Sequence, residues 1–317
     1  YVHLKGVETN KDGSPTGKLY RMDAWLRERT ETVNQEAVGR YSEKLLGMGI
    51  TSFTDASYTN NSKSLSYYRR VRAAGELKQK IDLMGDESLG TGFLKVMLDE
   101  DRFPVLDELV LRIKKAHDSG RGVAFHCVTH LELLFALESL RSAGSSKEDR
   151  VEHAALVSDD QIKLISERQV SIFTQPAFLR DKGDHYLKDI PDKMHQDLYR
   201  YQSLLSSGIP VFACSDAPYG PISPFEVVEA ATRRETLEGQ VISPGEVVSP
   251  EVALGGYLTK PGHSLVTNFD LKPGDPSDLC VLDAGWANLR SSIASIRVIH
   301  TLVDGQIVYS DSSANIS

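Results

Sequence analysis

Seven short runs rich in apolar and β-branched residues, spaced along the chain and mostly separated by helix-periodic stretches, constrain this sequence more than any other feature. They fall near residues 52, 82, 95, 124, 151, 171 and 212. Between and around them, apolar residues recur at three- and four-residue spacing, as at Ala37, Val38, Tyr41, Leu45 and Leu46. Helices are predicted over 34–48, 62–74, 105–117, 131–140, 194–205 and 224–232. Another begins at Ser158, where Gln161 completes a capping box. Residues 180–193 read as a large polar loop suited to act as a lid. Strand–helix alternation of this kind builds a parallel sheet with right-handed crossovers. Seven strands in this rhythm predict a (β/α)8 TIM-type barrel that lacks its first strand. A doubly wound open sheet is the competitor, and the absence of Gly-x-Gly-x-x-Gly after any strand weighs against its dinucleotide-binding form.

Both ends of the chain depart from the rhythm. Residues 1–30 are turn-rich and read as a loop or hairpin. Residues 31–265 carry the barrel. Residues 266–317 hold one alternating run near 280 and then two β-rich runs joined across Asp304-Gly305, which predicts a hairpin in a small β-sandwich subdomain. The chain opens on Tyr1 and its first residues carry no targeting signal, so it is expected to be a piece of a longer one.

Composition narrows the function. A net charge of -8 leaves no basic surplus for nucleic acid or an anionic membrane. No apolar run is long enough to span a membrane. Cys127, Cys214 and Cys280 are too few and too scattered for a disulfide framework, and the expected location is cytoplasmic. A small-molecule substrate is the expected partner, and a homo-oligomer stays open.

The predicted strand ends carry Asp55, Lys95, Asp99, His126, His153, Gln175 and Asp216. Barrel chemistry sits at that end of the strands. Histidines and an aspartate meeting there suit Zn²⁺, Mn²⁺ or Fe²⁺. Plain structural readings stand beside this one. Asp216 before Ala217-Pro218 suits a turn cap, His126 suits a buried neutral imidazole, and His153 suits an ion pair with Glu152. Lys95 inside an apolar strand costs several kcal/mol without a partner, on the order seen for buried charges, so it is paired with Asp99 or Asp55, or modified.

These residues, with Gly49-Ile-Thr-Ser-Phe-Thr-Asp55, Arg150-Val-Glu-His153, Gln175-Pro-Ala-Phe178, Cys214-Ser-Asp-Ala-Pro218, Leu271-Lys-Pro-Gly274 and Val303-Asp-Gly-Gln-Ile-Val-Tyr309, resemble the amidohydrolase superfamily. The branch in question includes N-substituted formamide deformylases. The resemblance implies a (β/α)8 barrel with a flanking β-sandwich and a metal-activated water that cleaves a C–N bond. It puts metal ligands at Lys95, His126, His153 and Asp216, with one or two divalent ions, zinc foremost. In such families the lysine is often carbamylated, which makes a buried cation into a carboxylate. Asp216 becomes the proton shuttle, and His130, Gln175, Phe178 and Tyr219 become substrate contacts, with Arg233 contributing a charge or supporting its helix. Two departures stand out. No His-x-His occurs, so the first strand and two ligands are expected upstream. Cys127-Val-Thr-His130 also replaces a turn that is richer in Gly and Asp in relatives. Two rivals remain: a truncated, non-catalytic domain kept for association, and a metal-free isomerase or lyase using Lys95 as a Schiff base.

Overall fold

The computed structural model describes residues 4–20, 22, 25–26, 28–29, 35–259, 265–266, 270–286 and 293–313. The chain forms two compact units, Tyr1–Arg40 and Tyr41–Ser317. The first unit holds an antiparallel hairpin of β1 (Val7–Thr9) and β2 (Pro15–Leu19). Asp12 shapes its turn by accepting from the Ser14 amide at 2.9 Å and the Ser14 hydroxyl at 2.6 Å. The hairpin expected near the start is therefore present. Helix α1 (Gln35–Leu46) follows, and its C-terminal half belongs to the second unit.

The second unit is organised by one parallel sheet: β3 (Ser52–Asp55), β4 (Lys80–Gly85), β5 (Phe93–Met97), β6 (Val123–Cys127), β7 (Arg150–His153), β8 (Ser171–Thr174) and β9 (Val211–Ala213). Spatial order equals chain order, from β3 to β9. That is the order of a (β/α)8 barrel with seven of its strands, as the rhythm predicted. Among the described residues β3 and β9 do not pair, so the sheet does not close.

Side-chain alternation divides the sheet into two faces. Leu94, Val96, Val123, Phe125, Val151, Ile172 and Val211 point one way into a single buried cluster. There they meet Leu109 and Ile113 of α3 (Leu106–Asp118), Leu133 and Leu137 of α4 (His130–Ala143), and Ile162 and Ile165 of α5 (Asp159–Arg168). Each such aliphatic side chain contributes about 1.5–3 kcal/mol by leaving water. The opposite parity carries Lys95, Ala124, His126, Arg150, Glu152, Ser171, Phe173 and Phe212. The sheet thus has one apolar face for the helices and one face with charged and imidazole groups.

Three elements differ from expectation. Residues 180–193 are not a loop: α6 (Ala177–Asp189) occupies most of them, after α2 (Ser62–Ala73) and α3 to α5 in chain order. Its apolar stripe is broken at Lys182-Gly183, which hid the period. Gly183 is buried because a Cβ there would lie 2.6 Å from Thr236 Cγ2. Second, the helix predicted over 194–205 divides into a 3₁₀ turn, Asp192–Asp197, and the short α7 (Tyr201–Ser206). Tyr199, at φ 46°, breaks it, and Arg234 donates to the Leu198 and Tyr199 carbonyls at 2.8 and 2.9 Å. Third, beyond α8 (Pro224–Arg233), α9 (Pro250–Leu258) was not anticipated. Ser249 caps it, and Gly256 lets it lie on β9, since a Cβ there would meet the Ala213 amide nitrogen at 2.6 Å.

The tail strands β10 (Leu279–Leu282), β11 (Val298–Val303) and β12 (Gln306–Ser310) form a separate antiparallel sheet in that order. Asp304 and Gly305 both have positive φ, 50° and 75°, as a tight hairpin turn requires. Thr301 Oγ1 donates to the Leu46 carbonyl at 2.6 Å and fastens this sheet to the end of α1.

Candidate active site

Lys95 stands in the middle of β5 on the charged face and is 6% exposed. Its ammonium makes no hydrogen bond or ion pair among the described residues, so the expected partners Asp55 and Asp99 do not pair with it. Asp55 instead accepts from the Tyr68 hydroxyl at 2.8 Å and the Ser57 amide at 2.9 Å. Burial pulls the Lys95 pKa down, and Arg150 adds to the effect, while Glu152 and Asp216 oppose it.

His126 ends the same face of β6. His153 ends β7, where strict alternation would turn it away with its register partner Cys127. Its backbone is left-handed instead, at φ 71°, and so is that of Ala154, at φ 45°. The His153 ring comes to 4.6 Å from the His126 ring, edge to face at 76°. The turn is clamped from outside, because Tyr199 N–H donates to the Ala155 carbonyl at 2.8 Å and Val157 N–H to the Asp197 carbonyl at 3.0 Å. His153 Nδ1 lies 2.8 Å from Gln175 Oε1. The Gln175 amide nitrogen is held by the Phe173 carbonyl and by Cys214 Sγ, so Oε1 faces the ring as an acceptor. Nδ1 therefore carries the proton and Nε2 is left as the lone-pair nitrogen.

Burial first, then His153 and Lys95, lower the His126 pKa to about 3. Burial also lowers His153 to about 4, with Lys95 the next cause. Both rings are neutral near pH 7. Asp216 sits three residues past β9 at φ 52°. Burial raises its pKa to about 6 against the pull of Lys95 and Lys182. The field of Lys95 thus reaches His126, His153 and Asp216, which share one end of the sheet.

Glu152 is not the partner of His153. Arg150 Nε and Nη2 donate to its two carboxylate oxygens at 2.6 and 3.1 Å, and the Arg150 guanidinium lies 3.1 Å from the Phe173 ring centre. His130 opens α4, with Nε2 3.1 Å from Asp197 Oδ2 but off the line of a hydrogen bond. Phe178 is buried on α6, its ring 6.4 Å from that of His153. Tyr219 is 64% exposed, and only its backbone N–H turns back, to the Asp216 carbonyl at 2.9 Å. Arg233 pairs with Glu229 on its own helix at 2.9 Å. A cleft of about 410 Å³ lined by Arg141, Lys147, Glu167 and Arg168 contains none of these groups.

Among the described residues no three His, Cys, Asp or Glu side chains gather into a metal-holding group. The donor chemistry nonetheless fits part of a metal site. Two adjacent imidazoles are neutral, one has its tautomer fixed for Nε2 ligation, and a buried amine and a carboxylate stand near them.

The imidazole pair also sets a pH dependence. Both folded pKa values lie below the ordinary 6.5, so their contribution is present above pH 6.5 and is lost as pH falls through about 4 and about 3. Asp216 has the opposite sign, and two groups outweigh one. Chelator-treated protein is expected to lose up to ~1.4 kcal/mol per pH unit for each histidine between pH 6 and 4. Urea unfolding at stepped pH measures it. A His126→Asn, His153→Asn variant with the same slope would refute the assignment.

The family model described as "Amidohydrolase family" matches residues 4–309. The chain belongs to the amidohydrolase family. Amidohydrolase relatives include an N-substituted formamide deformylase of Arthrobacter pascens, 24% identical over 364 residues, covering 96% of this chain and 67% of that protein. The putative amidohydrolase YtcJ of Bacillus subtilis is 22% identical over 210 residues, covering 63% of this chain and 40% of YtcJ. An uncharacterized metal-dependent hydrolase from Pyrococcus furiosus superposes with a TM-score of 0.63 at 24% identity, over 81% of this chain and 62% of that structure. A triazine hydrolase from Arthrobacter aurescens superposes at 0.60 with 15% identity, over 92% of this chain and 75% of that one. The amidohydrolase chain described here therefore spans only part of each relative's length. No helix in it is long and apolar enough to cross a membrane.

Sequence reasoning named the two histidines, the lysine and the aspartate. It missed that Gln175 orients His153, and that Arg150 and Glu152 form a buried pair beside Lys95. It also missed Lys182, hidden in the stretch read as a loop. Glu-His at 152–153 and the broken stripe of α6 gave no signal for either.

Proposed function

We propose that this chain carries the catalytic face of a metal-dependent hydrolase that cleaves a C–N bond in a small-molecule amide, formamide or cyclic amide. The observation that carries the reading is the neutral His126–His153 pair at the strand ends, in the field of buried Lys95, which also reaches Asp216. Lys95, His126, His153 and Asp216 are the residues that would hold the ion, with zinc favoured by nitrogen and carboxylate donors. A bound divalent ion supplies a Lewis acid and a water whose pKa is lowered to roughly 7.

The rest falls to the chain's own groups. Gln175 fixes the His153 ring. Burial disfavours the charged form of Lys95, and a neutral amine is the form that adds CO₂ to become a carbamate. Asp216 is ionised at pH 7 and, with its raised pKa, is a stronger base than an exposed aspartate. It takes the proton of the attacking water and returns it to the departing nitrogen. Phe178 and Tyr199 pack a dry wall behind His153. His130 and Tyr219 are the candidate substrate contacts in this reading. The deformylase named above acts, by its name, on N-substituted formamides, which supports the bond class.

Metal analysis with an N-substituted formamide and a simple amide as substrates tests the reading. The expected result is one or two ions per chain, with hydrolysis lost on chelation and restored by zinc. A folded chain that binds no metal would favour a non-catalytic domain. That reading gains from the absence of a three-residue His, Cys, Asp or Glu group among the described residues.

A further inference from the structure

We infer that Lys182 selects substrates that carry a carboxylate, so that this hydrolase acts on anionic amides or formamides; the inference rests on the reading above. Lys182 lies one turn after Phe178 on α6, and its Nζ stands 3.6 Å from the centre of the Phe178 ring. The centre of that ring lies 6.4 Å from the centre of the His153 ring, the two planes inclined by 22°. Lys182, Phe178, His153 and His126 therefore follow one another as ammonium, ring, imidazole, imidazole. The charge on Lys182 is felt at both His153 and Asp216.

Asp216 and Asp181 act on that charge only from a distance, and neither pairs with it directly. Among the described residues the Lys182 ammonium makes no ion pair and no hydrogen bond. Lys95 apart, the neighbouring cations are matched. Arg180 binds Asp181 and Glu226, Arg150 binds Glu152, and Arg200 binds Asp159 and Glu246. Arg234 is taken up by three backbone carbonyls. Lys182 is also half-buried, so its ammonium has given up part of its hydration. A half-buried cation on an aromatic face is well placed to pair with a ligand carboxylate, which regains the lost solvation as a charge-assisted hydrogen bond. That selects an amide or formamide bearing a carboxylate away from the scissile bond.

The test compares 4-formamidobenzoate with its uncharged isostere 4-formamidobenzamide, using the full chain, Lys182→Met and Lys182→Arg. Hydrolysis gives kcat and KM, and calorimetry gives binding of the products 4-aminobenzoate and 4-aminobenzamide without any turnover. The wild type is expected to favour the carboxylate compounds by roughly tenfold or more. Lys182→Met should remove that preference through KM, and Lys182→Arg should keep most of it. Equal handling of the two compounds by the wild type overturns the inference. So does a preference that survives in Lys182→Met, or binding of neither product at millimolar concentration. Carboxylate-selective binding that depends on Lys182, without hydrolysis of either substrate, upholds the anion site and overturns the hydrolase reading. Hydrolysis without charge preference does the reverse.

Discussion

Asp216→Asn is expected to lower turnover of the metal-loaded protein by roughly 10²-fold or more, with most of the metal still bound, because general acid–base help is of that size. The substitution isolates the proton role. Asparagine keeps the shape and one donor oxygen of the carboxylate, but it accepts no proton near pH 7. It also tolerates the left-handed backbone at φ 52°, so the loop after β9 is retained. The pH profile gives a second readout. The ionised carboxylate is the working form, so wild-type kcat/KM should fall as pH drops through the Asp216 value of about 6. The residual activity of Asp216→Asn should lack that acid limb. Wild-type turnover in the variant, or an unchanged limb, would remove Asp216 from proton transfer and leave it a ligand at most.

Much of the fold was legible because buried parallel strands advertise themselves. Apolar side chains at Val123, Phe125, Val151, Ile172 and Val211 must face helices, and they mark each strand wherever the other parity is short or small. Capping chemistry was equally direct: Ser158 accepts from the Gln161 amide, as the spacing foretold. What escaped was helix held by long-range packing. Helix α6 has few apolar residues of its own and depends on Gly183 passing close to Thr236 and Ile242, a contact that no local pattern encodes. Helix α9 is masked by Gly255-Gly256, whose use is the backbone of β9.

The candidate site was legible at the level of residue type and strand end, and less so in its connections. His126, His153, Lys95 and Asp216 are polar groups where a strand should be apolar or just ending, so each stands out singly. Which of them touch depends on backbone φ at His153 and Ala154, and period-two reasoning sends His153 to the wrong face. The orienting partner Gln175 lies 22 residues further on, across the neighbouring strand. Glu152 was misassigned for the same reason. Adjacency in sequence suggested His153, whereas alternation along β7 places Glu152 on the same face as Arg150.

That misassigned carboxylate carries the largest stability effect. Glu152 and Arg150 are each about 5% exposed, and burial alone would keep the Glu152 carboxyl neutral. Arg150 and then Lys95 outweigh burial and hold its pKa below the usual range. Glu152 is therefore the anion that faces two buried cations. Glu152→Ala would leave Arg150 against Phe173 with no carboxylate and Lys95 with one fewer counter-charge. Removing one member of a buried pair costs about 3–5 kcal/mol, and that loss is expected in urea unfolding of the metal-free protein. Two companion variants separate charge from packing. Arg150→Met with Glu152→Leu should cost much less than Glu152→Ala, since no charge is stranded. Adding Lys95→Met to Glu152→Ala should recover part of the loss, a coupling of ~0.5–3 kcal/mol between charges of one buried network. A Glu152→Ala cost under ~1 kcal/mol, or strict additivity with Lys95→Met, would mean that Lys95 is not balanced by Glu152. In that case the low charge on the amine, rather than its neighbour, is what allows Lys95 to sit inside the strand.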